Sequence, residues 1–236
     1  MLVIQPVHPY TIKLESWLRQ YADPVKAVAM QAYMRDQFAF LGIKSPDRVA
    51  LAKQFWKENG VPDGNELSVV VKELWRLPER EYQYIAMAML EKQRKRRERA
   101  DIELLEEIIV EKSWWDTVDF VASQLVGFHF TLFPDLVAAY AERWISSGHM
   151  WLQRTAILFQ LGYKQRTDTE LLFDYIRRMA GEKDFFIRKA IGWALREYSK
   201  TNEEAVREFV ATSNQLSPLS IKEALKHINA QSSKCE

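Results

Sequence analysis

Four side chains in this sequence stand where packing alone does not ask for them. In KSWWDTVD, at 112–119, Trp115 and Asp119 lie one helical turn apart, about 40° apart on a wheel of 100° per residue. Asp119 falls at the edge of the apolar stripe, beside Trp115 and Val126. A carboxylate there is partly desolvated. Burial raises its pKa and an opposite charge lowers it, so it can serve as a base or as a stabiliser of developing positive charge. A structural aspartate bonded to a neighbouring helix terminus is equally open on spacing alone.

Arg154 lies in WLQRTAILFQL, a helix apolar nearly all round whose polar stripe is Gln153 and Gln160. Arg154 points away from that stripe, flanked by Leu158 and Leu161. A guanidinium so placed requires an anion, either a carboxylate or a phosphate. In FFIRKAIGWALREYSKTN, the residues Lys189, Gly192, Trp193 and Arg196 share one helix face. Basic, small and aromatic side chains at this spacing suit a backbone phosphate and a flat group. A helix–helix contact at Gly192 fits the same pattern, because a mid-helix glycine costs about 1 kcal/mol against alanine and needs a reason.

Helices must position these residues. Glycine and proline number 8 each in 236 residues, too few for the turns of a sheet-rich chain. No segment alternates with period two. Asp23-Pro24 and Ser45-Pro46 read as helix starts, as does Ser113 with Asp116 in capping-box spacing. Further starts are expected near Pro134, Asp168, Asp184, Asn202 and Ser217, and Gly42 and Gly60 follow helix ends. About a dozen helices of 10 to 18 residues result.

Those helices repeat. FFIRKAIGWAL begins 34 residues after WLQRTAILFQL, matching Ala156 with Ala190 and Phe159 with Trp193, and Trp115 lies 36 residues before Trp151. EYQYIAMAML fits more weakly, with Ala86 in the alanine position. A period near 35, one helix pair per period, marks an α-solenoid of irregular HEAT-like pairs. The expected organisation is one domain over 1–236, with about 229–236 as a disordered tail.

Other chemistry finds little support. The single cysteine, Cys235, excludes an intrachain disulfide and a cysteine-based zinc site. His8, His129, His149 and His227 show no metal-binding spacing and read as surface or capping residues. Neither a metal nor a cofactor is expected. No phosphate loop or nucleophile elbow is present. No stretch approaches 18 uncharged apolar residues and the first residues do not read as a signal peptide, so the expectation is a cytoplasmic protein without a membrane partner. The net charge of +1 announces no nucleic-acid partner by itself. Lys92–Arg99 is the most basic run, readable as a solvated helix end or as a phosphate-contacting patch.

The three segments above, with AYMRDQFAFLGIKSP at 32–46 and ELWRLPERE at 73–81, resemble the AlkD-type DNA glycosylases, the HEAT-like DNA alkylation repair enzymes. The likeness covers most of the chain in order. It implies a right-handed superhelix whose concave face holds duplex DNA, associated with the nucleoid when bound. It implies excision of cationic alkylpurines, N3-alkyladenine and N7-alkylguanine, without flipping the lesion into a pocket. The family's catalytic aspartate falls on Asp119, its lesion-side tryptophans on Trp115 and Trp193, and its DNA-binding arginine on Arg154. Lys189, Arg196 and Lys164 are further phosphate candidates, and a monomer is expected. Two other readings stay open: a non-catalytic binder of DNA structure, and a protein-interaction scaffold.

Overall fold

The computed structural model describes residues 6–232, with side chains described to residue 230. They are helical throughout; among the described residues the only β feature is one isolated bridge between Ala39 and Glu79. The chain forms two compact units, 1–112 and 113–236. Their boundary at Lys112 carries no linker composition that a sequence reading could use.

The first unit contains α1 (Pro9–Arg19), α2 (Pro24–Tyr33), α3 (Ser45–Asn59), α4 (Gly64–Arg76), α5 (Arg80–Lys92) and α6 (Asp101–Val110). Asp23 caps α2 by accepting the Val25 and Lys26 amides. Ser45, expected as a cap, is instead the first residue of α3; Lys44 holds the cap position, without a side-chain bond. Leu74, Trp75, Tyr82, Ile85 and Met89 are almost wholly buried, and each large apolar side chain so placed contributes about 1.5–3 kcal/mol. Buried polar groups fasten the connections. The Glu81 carboxylate accepts the amides of Leu41, Gly42 and Ile43, at 2.9–3.0 Å.

The second unit holds every candidate site residue. α7 (Trp115–Phe120), a π-helical segment (Val121–Val126) and α8 (Gly127–Leu132) run on without a break. A second π-helical segment (Val137–Ala141) leads into α9 (Glu142–Ile145). Then follow α10 (Met150–Leu158), α11 (Thr169–Met179), α12 (Phe185–Ser199), α13 (Glu203–Thr212) and α14 (Pro218–Ser232). Asp168, Asp184 and Asn202 cap their helices as expected. α7 does not start at Ser113: its cap is Trp114, with no capping side chain. The Trp114 ring packs instead against Trp151 and Phe186, at 6.0 and 5.3 Å. Asn229–Ser232, expected in the tail, instead continue α14, anchored by the fully buried Ala224 and Ile228. Residues 233–236 lie outside the described residues.

The expected period is visible as bonding. Hydrogen bonds between neighbouring repeats join residues 32 to 36 apart, as in Tyr163 to Gly127, Arg178 to Glu142, Arg154 to Asp119 and Ser220 to Arg188. Within the first unit Trp75 reaches Glu111 in the same way, 36 residues on. Ala86, Ala156 and Ala190, aligned by the repeat, are all buried at 2% exposure or less. Of the histidines, His8 and His149 cap helices as expected. His129 does not: it is fully buried, its ring 4.9 Å from Phe133.

Candidate active site

Trp115 is the first residue of α7 and Asp119 stands one turn later, both part-buried. Two residues after Asp119, at Val121, the backbone widens into the π-helical segment, a feature frequent at functional sites. The Ser123 hydroxyl donates to the Asp119 carbonyl at 2.7 Å, tying that turn together. Gly127 then brings this long helix onto α10. A methyl group there would lie 2.3 Å from the Phe159 carbonyl oxygen, so only glycine permits the crossing. Tyr163 closes it by donating to the Gly127 carbonyl at 2.7 Å.

The crossing sets Asp119 against Arg154. The guanidinium binds the carboxylate in two places, Nε to Oδ1 at 2.7 Å and Nη2 to Oδ2 at 2.8 Å. Its Nη1 donates to the Phe186 carbonyl in the first turn of α12. Three successive repeats therefore meet on one arginine. The Arg154 side chain is 5% exposed and that of Asp119 is 17% exposed. This geometry resolves the anion that Arg154 requires: it is a carboxylate one repeat earlier. The guanidinium is not free for DNA here, although two of its five N–H bonds are not used by these contacts. Burial pushes the Asp119 carboxyl above its ordinary range, while the bond and charge of Arg154 pull it down; Asp116 adds a smaller upward push.

The second candidate face is arranged differently. Lys189 and Arg196 both bind Glu223 of α14, at 2.9 and 2.6 Å. Gly192 between them is where α14 approaches, since a methyl group there would meet Glu223 Cβ at 2.5 Å and the Ser220 carbonyl at 3.0 Å. The helix–helix contact therefore explains the glycine. Lys189 and, less strongly, Arg196 lower the Glu223 pKa from its ordinary value. Trp193 is half-buried beside this contact, whereas its repeat counterpart Phe159 is 1% exposed. The repeat thus keeps one aromatic position accessible where the other is core.

Lys164 stands apart from both pairs, exposed in the turn after α10 with φ of 54°. It lines a groove of about 400 Å³ with Gln160, Leu172, Tyr198 and Lys200. Sequence reasoning missed Trp114, Gly127 and Glu223. The doubled tryptophan at 114–115 was the available signal for the first. Among the described residues no group of three or more histidine, cysteine or acidic side chains is arranged to hold a metal ion, and no helix is long and apolar enough to cross a membrane.

Comparison with known proteins agrees with this architecture. No curated protein matches the chain. The solved structure of a predicted DNA alkylation repair enzyme from Enterococcus faecalis superposes with a TM-score of 0.81 at 33% identity, covering 88% of this chain and 96% of that one. The family model for DNA alkylation repair enzymes matches residues 14–228. With that match spanning nearly the whole chain, the protein belongs to the DNA alkylation repair enzyme family.

Proposed function

We propose that the protein is a monofunctional DNA glycosylase that hydrolyses the N-glycosidic bond of cationic alkylpurines in duplex DNA, without flipping the lesion out of the stack. The observation that carries this reading is the Asp119 carboxylate, held at two points by Arg154 and still 17% exposed. An N3- or N7-alkylated purine already carries positive charge. When the bond from C1′ to the base breaks, its electron pair neutralises the base, so no general acid is required. The sugar left behind is an oxocarbenium ion. Asp119 stabilises that charge and takes the proton of the attacking water, which leaves an abasic site and a neutral alkylpurine.

Trp115 and Trp193 supply electron-rich faces for a cationic nucleotide, at about 0.5–2 kcal/mol per contact. Arg154 acts first as the positioning residue for Asp119, and its two remaining N–H bonds suit a phosphate beside the lesion. Lys189, Arg196 and Lys164 add phosphate contacts. The protein acts as a monomer.

The test is base release from duplex DNA carrying 7-methylguanine, run beside DNA carrying hypoxanthine as an uncharged lesion. Release of 7-methylguanine with hypoxanthine left in place is expected. Tight DNA binding without any release would overturn the reading. That outcome would favour a non-catalytic DNA binder, consistent with a carboxylate fully neutralised by Arg154.

A further inference from the structure

The proposed chemistry leaves one exposed aromatic side chain of the second unit unused. Phe185, the first residue of α12, is 56% exposed. Among the described residues of that unit, Leu132 is the only other large apolar one so open to solvent, at 39%. Local preference does not ask for a ring here. The first turn of a helix favours acids, which complement its dipole, and phenylalanine is a weak helix former. Interior packing does not ask for it either. Phe186 makes those contacts, with its ring 5.3 Å from Trp114 and 5.0 Å from Trp151, and Ile187 is 1% exposed. Single exposed apolar residues are common on protein surfaces. What distinguishes Phe185 is the place where the fold holds it.

Two constraints fix the ring. The Asp184 carboxylate accepts the Phe186 and Ile187 amides at 2.7 and 3.1 Å, which sets the first turn. The Phe185 ring then stands edge-on to Phe186, with centres 5.5 Å apart and planes at 77°. Phe186 is the residue whose carbonyl receives Arg154 Nη1. Phe185 is therefore adjacent in sequence to the group that anchors the clamp on Asp119. Along α12, Phe185, Lys189, Trp193 and Arg196 follow at i, i+4, i+8 and i+11, within about 80° of one another on the wheel. The exposed ring thus ends the stripe that carries the proposed phosphate and lesion contacts. Lys189 stands one turn further on, about 6 Å along the axis, and Trp193 two turns, about 12 Å.

We infer that Phe185 is a positioning residue that packs its ring against a deoxyribose of the lesion strand, on a nucleotide flanking the lesion. A DNA strand alternates charged phosphate with apolar sugar, and this stripe alternates cation with ring. A base that stays in the stack keeps its faces covered, whereas the C–H bonds of its sugar remain open to an aromatic face. Two turns of helix put Phe185 beyond the nucleotide that Trp193 meets. The contact holds the strand so that C1′ of the lesion faces Asp119, and in that respect the inference rests on the glycosylase reading.

The test uses duplex DNA with 7-methylguanine on a 2′-fluoro sugar, which resists release, and isotope-labelled deoxyribose in the flanking nucleotides. In the wild-type complex the ring current of Phe185 shifts flanking sugar protons. Phe185→Leu loses that shift and Phe185→Tyr keeps it. On ordinary 7-methylguanine duplex, single-turnover release at saturating DNA falls roughly tenfold in Phe185→Leu and keeps the wild-type rate in Phe185→Tyr. The thermal midpoint moves little in either variant, because the ring is mostly exposed. Equal sugar shifts in wild type and Phe185→Leu would overturn the contact. A lost shift with an unchanged release rate would overturn the positioning role. A wild-type protein that releases no base would instead overturn the glycosylase reading, and the sugar shifts would still decide the contact.

Discussion

Two charge clusters in the second unit are built to similar plans and differ in balance. Asp119 with Arg154, and Glu223 with Lys189 and Arg196, each link helices of neighbouring repeats across a glycine crossing, at Gly127 and Gly192 respectively. The first has one charge of each sign, 17% and 5% exposed. The second has two cations on one carboxylate, with Lys189 37% and Arg196 26% exposed. A neutral buried pair resists exchange with solvent ions and fixes a carboxylate in one orientation. A shallow cluster with excess positive charge is suited to exchanging its carboxylate for a phosphate. The same scaffold thus holds a fixed carboxylate, the catalytic group of the function we propose, in one repeat, and a more exposed cationic cluster, its proposed phosphate-binding surface, two repeats later.

Breaking the first cluster has the largest effect. Arg154→Met leaves a buried carboxylate without its partner and destabilises the fold by about 3–5 kcal/mol, read by urea unfolding. It also removes the interaction that pulls the Asp119 pKa down. In the proposed mechanism the active form is the carboxylate, so base release should fall as pH drops through that pKa. The acid limb of the pH–rate profile therefore moves to higher pH in Arg154→Met, and an unmoved limb would separate Asp119 from the rate.

The crossings come next. Gly127→Ala drives a methyl group into the Phe159 carbonyl, and Gly192→Ala drives one into Glu223 and Ser220. Overpacking of this kind costs about 1–3 kcal/mol. The two glycines separate by function: Gly127→Ala slows base release at saturating DNA, while Gly192→Ala chiefly weakens DNA binding. Equal effects on both constants in both variants would dissolve the comparison.

The smallest effect on stability belongs to Glu223→Gln, within about 1 kcal/mol for ion pairs this exposed. It releases Lys189 and Arg196. Duplex affinity rises roughly threefold to tenfold at low salt, and the salt dependence steepens by about one phosphate contact. A flat response in a two-salt binding titration would show that these cations do not meet DNA.

Much of this arrangement was legible before folding. Asp184 and Asn202 announced their helices because a short acceptor before an apolar run has one good use. The exposed edge of Asp119 followed from the wheel, and so did the buried anion requirement of Arg154. Joining the two needed the repeat: a period near 35 sends Arg154 back to Asp119, and the spacing could have named that pair. Other features depend on tertiary contact. The π-helical segment at Val121–Val126 breaks the 100° wheel used to place Val126, which is fully buried. Glu223 gained meaning only when α14 settled against Gly192. Trp114 went unread in the sequence because its role is a tertiary contact, packing against Trp151 and Phe186, while adjacent residues at a helix start face different ways.

The central claim is that Asp119 does the chemistry, and single-turnover release of 7-methylguanine from duplex DNA by Asp119→Asn tests it most directly. Asparagine keeps the shape and one acceptor for Arg154 but removes its counter-charge, so the thermal midpoint should fall while the protein stays folded and still binds duplex DNA. Release should fall by about 10²–10⁴-fold, the range of a lost base or charge stabiliser. A folded, DNA-binding Asp119→Asn protein that releases the base at the wild-type rate would contradict the account.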